Sequence, residues 1–240
     1  MVETKKQATI VDVAQAAGVA IGTVSRYLNG LPVRAANRLP IEQAIDQLGY
    51  RRNMLAVSMK RQMTHIIGLM VPSLSEFHAG LLDTLTRRLR VTGRAVLCYC
   101  HDLEPASIED GLEFFASHRI DAVVMDGVVK AAPLLERYVR DGLSIVLYDN
   151  DIPGLSADRV FATNRKSAER IVDHLADLGH RRIATITGSA ADSAGRERLA
   201  GYEDALASHG IESVPGYQVD GNWNEDGGYG AIRDLLAHAE

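Results

Sequence analysis

Residues 18–30 read GVAIGTVSRYLNG, a short stretch in which Thr23, Ser25, Arg26 and Asn29 supply two hydroxyls, a guanidinium and a carboxamide. On a helix, Ile21, Val24 and Leu28 fall at i, i+3 and i+7, so the spacing predicts one apolar stripe with the four polar residues on the wet side. Short donors beside a single Arg suit phosphate oxygens and base edges. A second group of chemistry-bearing residues lies where apolar runs give way to polar ones: residues 73–78, Asp126, residues 149–151 and residues 188–198. Carboxylates such as Asp126 and Asp149 accept hydroxyl hydrogens, Arg198 donates a fork, and the indole of Trp223 stacks on a sugar face. That combination suits a polyol.

The elements that must position these groups can be read from the same sequence. Thr9 followed by Asp12 predicts a capping-box start for a helix through Ala17, with Ile10, Val13 and Ala14 on its apolar side. Gly18 supplies the left-handed turn into the next helix. A third pattern, Leu39, Ile41, Ala44, Ile45 and Leu48 before Gly49, is expected to cover the apolar faces of the first two. Helix, glycine turn and helix is the helix-turn-helix arrangement, whose second helix enters the major groove. From His65 onward the runs HIIGLMV, AVLCYC, DAVVMD, LSIVLYD and RIATIT alternate with helical stretches, and Gly93, Gly142 and Gly179 stand at expected helix stops. Near-continuous apolar strands between helices predict a parallel sheet covered on both faces, with ligands at the carboxyl ends of its strands.

Charge divides along the same line. The 240 residues carry a net charge of −5, yet residues 1–62 hold nine Lys/Arg against four Asp/Glu, and the remainder holds 17 against 27. A basic head on an acidic body is the asymmetry of a nucleic-acid module joined to a larger domain. No apolar run approaches the roughly 20 residues of a membrane span, and the N-terminus lacks a signal-peptide core, so a cytoplasmic protein with no membrane partner is expected. Cys98 and Cys100 lie on one face of a strand, too few for a metal site and badly placed to bond each other. No cofactor motif is present: residues 188–198 are glycine-rich but lack the Gly-Lys-Ser/Thr ending of a P-loop. His174 and His180 read as surface residues near a helix end.

The run ATIVDVAQAAGVAIGTVSRYLNG, followed by IEQAIDQLGYRRN and LAVSMK, resembles the LacI/GalR (lactose-repressor) family of bacterial transcription regulators. The resemblance implies a small all-α helix-turn-helix head (residues 1–52), a hinge (53–62), and an α/β periplasmic-binding-protein-like body with parallel sheets. The body would comprise an N-terminal lobe (63–162) and an incomplete C-terminal lobe (163–240). By position, Ile21, Gly22 and Arg26 would read bases, and Thr9, Thr23, Ser25 and Asn29 would anchor the DNA backbone, with Tyr50 and Asn53 in the matching LGYRRN segment. A bidentate Arg26–guanine contact is worth about 1–3 kcal/mol of discrimination. Ala56 and Met59 occupy the hinge positions that wedge into the minor groove, and Met can serve as such a wedge. For the effector site, the resemblance places Arg198 on the ligand arginine, Trp223 on the aromatic platform, Asp149 in the pocket and Phe77 with His78 on an aromatic pair. Asp192 and Ala194 fall on ligand-facing positions that vary with the effector.

Three departures bear on the DNA reading. Ala20 replaces the usual capping Ser, at a cost of about 0.5–2 kcal/mol. Pro40 falls within the third helix, which costs about 3 kcal/mol unless that helix starts late, near Leu39. The loop LPVR is short, with Arg34 in place of a small hydroxyl residue. The resemblance also implies a further stretch of roughly 100 residues by ordinary domain proportions. A fragment, truncated product or naturally short variant is therefore expected, with one incomplete pocket wall.

The leading expectation is a dimeric, DNA-binding regulator, a repressor of a double-stranded operator governed by a sugar or sugar-derivative effector. The alternative is a truncated solute-binding sensor with weak or vestigial DNA binding. An enzyme using Asp126, Asp149 and Asp151 with a metal finds no support in HExxH, nucleophile-elbow or dinucleotide signatures.

Overall fold

Thr9 starts the first helix, α1 (Ile10–Ala16), through a reciprocal capping box. Its backbone N–H donates to Asp12 Oδ2 at 2.7 Å, and the Asp12 N–H donates to Thr9 Oγ1 at 3.4 Å. The computed structural model describes residues 8–51 and 63–237, and the chain divides into two compact units between Thr64 and His65. In the first unit Gly18, at φ 61°, turns the chain from α1 into α2 (Ile21–Leu28). The third helix, α3 (Ala35–Leu48), ends on left-handed Gly49. Val13, Ala14, Val24, Ile41 and Ala44 form the core, with Tyr27, Leu28, Ile45 and Tyr50 packed against it.

Several expectations for this unit need correction. Ile21 is 48% exposed and does not belong to the apolar stripe, which begins one turn later at Val24, where α2 first meets the core made with α1 and α3. Leu39 and Leu48 are likewise exposed, leaving Ile41, Ala44 and Ile45 to cover the bundle. The third helix does not start late: it begins at Ala35, so Pro40 lies inside it and cannot donate to the Ala36 carbonyl. The hinge positions Asn53, Ala56 and Met59 lie outside the described residues.

The second unit is built on a five-stranded parallel sheet of order β2-β1-β3-β4-β5: β1 (Ile66–Val71), β2 (Ala95–Cys100), β3 (Ala122–Asp126), β4 (Ser144–Tyr148) and β5 (Asp158–Val160). Register aligns Leu69 with Cys98 and Val124, and Val124 with Val146. Successive side chains take opposite faces. Leu69, Val71 and Tyr148 pack on Leu81, Leu82 and Leu85 of α4 (Glu76–Arg90). Met70, Val123, Met125, Ile145 and Leu147 face the other way. They meet Ile108, Leu112 and Phe115 of α5 (Pro105–Ser117) and Leu135 of α6 (Ala132–Arg140). Gly93, Gly142 and Gly179 adopt positive φ at the expected helix stops.

A second parallel pair, β6 (Thr185–Thr187) and β7 (Gln218–Asp220), lies with α7 (Asn164–Asp177), α8 (Ser193–Ser208) and α9 (Glu225–Ala237). Helices α7 and α8 approach closely because Gly201 has no side chain: a Cβ there would stand 2.1 Å from the Arg165 carbonyl oxygen. Beside this contact Arg165 pairs with Asp204 at 2.6 Å. Among the described residues no helix is long and apolar enough to cross a membrane.

Candidate functional site

The first unit presents α2 as an exposed helix anchored by one fully buried residue, Val24. Arg26 is exposed, and its Nη2 donates to the Pro32 carbonyl at 3.3 Å, which holds the guanidinium at the rim of the short loop after α2. Gly22 is exposed, while Thr23 and Ser25 are half-buried beside it. Asn29 Nδ2 donates to the Ser25 carbonyl at 2.7 Å, so this amide closes the end of its own helix. Thr9 is engaged in the capping box, and its Oγ1 donates to Asp12 Oδ2 at 2.8 Å. Tyr50 packs on the core. The helix starts without a side-chain cap at Ala20. Tyr27 braces it by donating from its hydroxyl to Glu42 on α3 at 2.8 Å, where Arg38 also binds.

In the second unit the carboxyl ends of β3 and β4 meet the amino end of α8 through Asp126, Asn150, Ser193 and Ala194. The turn after β4 holds Asp149 at φ 59°, a left-handed conformation that costs of order 1–3 kcal/mol in a non-glycine residue and clusters at functional sites. Asp149 faces Arg198 of α8 at 4.0 Å. The Arg198 Nε donates to Asn164 Oδ1 at 2.8 Å, and its guanidinium lies 5.0 Å from the Trp223 ring centroid. Trp223 in turn donates from Nε1 to Asp192 at 2.7 Å. Its indole fits because residue 188 is glycine: a Cβ there would stand 1.9 Å from the ring. Four of the expected residues, Asp149, Asp192, Arg198 and Trp223, thus form one connected group.

Asn150 ties the end of β3 to the start of α8. Its Nδ2 donates to Asp126 at 3.0 Å, while its Oδ1 accepts from the Ala194 N–H at 3.1 Å and from Ser193 Oγ at 3.3 Å. The side chain is 5% exposed, so each bond is made largely away from water, where a missing partner is costly. Burial pushes the Asp126 carboxyl up to about 6; the Asn150 bond opposes that rise, and the neighbouring charges of Asp149 and Asp192 add to it. Phe77 and His78 sit edge to face, with ring centroids 5.2 Å apart, and both lie 6.3 Å from the Tyr148 ring. His78 is held below its usual pKa by burial and receives a 2.8 Å contact from Ser75.

Ala194, expected on a ligand-facing position, is fully buried, and its N–H donates to Asn150. Asp151 separates from Asp126 and Asp149 by pairing with Arg159 at 2.7 Å. Asn164 and Tyr148 join the site although the sequence did not single them out, whereas Asn150 lies within the strand-end segment 149–151 that it did, with no role assigned there. The strand-end position of residues 148–150 was the available signal for two of them; nothing local marks Asn164, whose role depends on Arg198 folding across from α8.

A helix-turn-helix head on one unit and a parallel α/β unit that brings a carboxylate, an arginine and an indole together define a ligand-responsive DNA-binding regulator class. The family model described as bacterial regulatory proteins, lacI family, matches residues 9–53, and that of periplasmic binding proteins and the sugar binding domain of the LacI family matches residues 64–238. The chain belongs to the LacI family. It is 30% identical over 247 residues to the ribose operon repressor of Escherichia coli (strain K12), covering 96% of this chain and 71% of that one. It is also 30% identical to the transcriptional regulator GalR of the same organism, covering 95% and 67%. Among solved structures, the lac repressor dimer bound to operator and the anti-inducer ONPF superposes with a TM-score of 0.81 at 22% identity, covering 98% and 71%, a likeness of fold. The complex of the transcriptional regulator CelR with cellobiose gives a TM-score of 0.66 at 29% identity, covering 97% and 71%.

Proposed function

We propose that this chain is a cytoplasmic, homodimeric transcription repressor, not an enzyme. It binds a palindromic operator through α2 and is governed by a sugar or sugar-like effector held between the lobes of the second unit. The observation that carries the reading is the conjunction of exposed Arg26 on α2 with the Asp149–Arg198–Trp223 group on one chain. Arg26 reads a base edge, with Thr23 and Ser25 on the DNA backbone. The effector's hydroxyls donate to the carboxylates and accept from Arg198, and its apolar face lies on Trp223. Asn150 is the buried group through which an effector at Asp126 alters the contact with Ser193 and Ala194, and so the angle between lobes.

The test is selection of the full chain on a randomised duplex pool at low and moderate salt. Enrichment of one palindrome at both salt concentrations supports the repressor reading. The uncapped start of α2 at Ala20 and Pro40 inside α3 favour a second reading, a solute sensor whose head binds DNA weakly. Sequence-blind binding that disappears with salt is its signature.

A further inference from the structure

We infer that Tyr148 is a specificity-determining contact of the effector cleft, its buried hydroxyl donating a hydrogen bond to an oxygen of an uncharged polyol. The inference rests on the reading of that cleft as an effector site and specifies the chemistry it selects. Tyr148 ends β4, one residue before Asp149, and its ring lies against Phe77 and His78. The residue is 7% exposed, and its hydroxyl oxygen is one of two buried side-chain polar atoms among the described residues with no hydrogen-bond partner. A buried hydroxyl without a partner is costly, and such exceptions call for a reason. Burial and the charges of Asp126 and Asp149 both favour the protonated phenol, so the group stands ready as a donor.

The surrounding charges decide what it can donate to. Asp126, Asp149 and Asp192 bring three carboxyl groups to the cleft, against one arginine that already binds Asn164 and faces Asp149. A phosphate or carboxylate placed against Tyr148 would meet this excess of negative charge at short range. An ammonium group has donors only and cannot accept from the phenol. A neutral hydroxyl does both jobs at once, accepting from Tyr148 while its own hydrogen goes to a neighbouring carboxylate. The aromatic pair Phe77 and His78 supplies the apolar flank against which sugar C–H groups pack.

Calorimetric titration of the full chain tests this with D-ribose, D-galactose, D-glucose and cellobiose, each monosaccharide also as its terminal phosphate and the hexoses also as uronic acids. At least one neutral sugar is expected to bind, with its charged form weaker by tenfold or more. In Tyr148→Phe the affinity for that sugar is expected to fall about tenfold or more. Thermal stability of the unliganded variant should hold or rise, because the lost hydroxyl had no partner. Preferential binding of a phosphorylated or carboxylated form overturns the inference and leaves the sugar-effector reading standing. An unchanged affinity in Tyr148→Phe also overturns it. Failure of every sugar, charged or neutral, overturns the sugar-effector reading and the inference with it.

Discussion

Replacing Ala20 with Ser should slow the opening of α2 by a calculable factor. Ala20 has the extended backbone of an N-cap, φ −68° and ψ 146°, yet makes no side-chain cap. A Ser hydroxyl at this position would accept from the amides of the first turn. The Thr23 N–H already donates to the Ala20 carbonyl at 2.8 Å, so the main new partner is the Gly22 N–H, which has no acceptor within the helix. The gain therefore belongs in the lower half of the range for caps, about 0.5–1 kcal/mol. Since 1.4 kcal/mol is a factor of ten, hydrogen exchange at the Val24 and Asn29 amides should slow about two- to fivefold in the full chain. Exchange measured by NMR reports these amides individually, separate from the second unit. Unchanged or faster exchange in Ala20→Ser would refute the claim that the missing cap is a local weakness of α2.

Three further perturbations follow from the geometry. Arg26→Ala should cost about 1–3 kcal/mol of discrimination at one base pair, seen as relaxed preference there in competition binding; an unaltered operator preference would remove Arg26 as a base reader. Gly188→Ala should displace Trp223 from its seat, shifting the emission of this sole tryptophan and weakening sugar binding, while β1–β4 retain their protection from exchange. Unchanged emission would contradict the packing described for the indole. Asp126 has a folded-state pKa of about 6 against an ordinary 3.8, so its contribution favours the fold most below 3.8 and is lost as pH rises through about 6. Urea midpoints should therefore show the wild type gaining stability relative to Asp126→Asn as pH falls from 7 to 4; parallel profiles would contradict the buried carboxyl.

Much of the fold was legible because it depends on local signals. The Thr9–Asp12 box, the turn at Gly18 and the apolar runs of β1–β4 each follow from residues close in sequence. The errors arose where tertiary contacts decide. Ile21 fits the helical stripe by spacing, but the first turn of α2 extends beyond the core, so its side chain remains exposed. Strands β5 and β7 are three residues each and carry too little periodicity to be recognised without the neighbour that pairs with them. In the cleft, Arg198, Trp223 and Asp149 were accessible through family resemblance. The buried bridge made by Asn150 was not, since it joins residues 24 and 44 positions away in the chain. The Ala194 end of that bridge is a buried backbone N–H, which no side-chain pattern announces.

In the proposed repressor one chain couples a DNA-reading head to a sugar site. The most direct test is the affinity of the full chain for its selected duplex, measured at fixed salt with and without a saturating sugar identified by titration. A change of at least several-fold is expected, within the 5–150-fold range usual for coupled sites, with a reciprocal change in sugar affinity when the duplex is bound. Identical DNA affinity with and without bound sugar would contradict it.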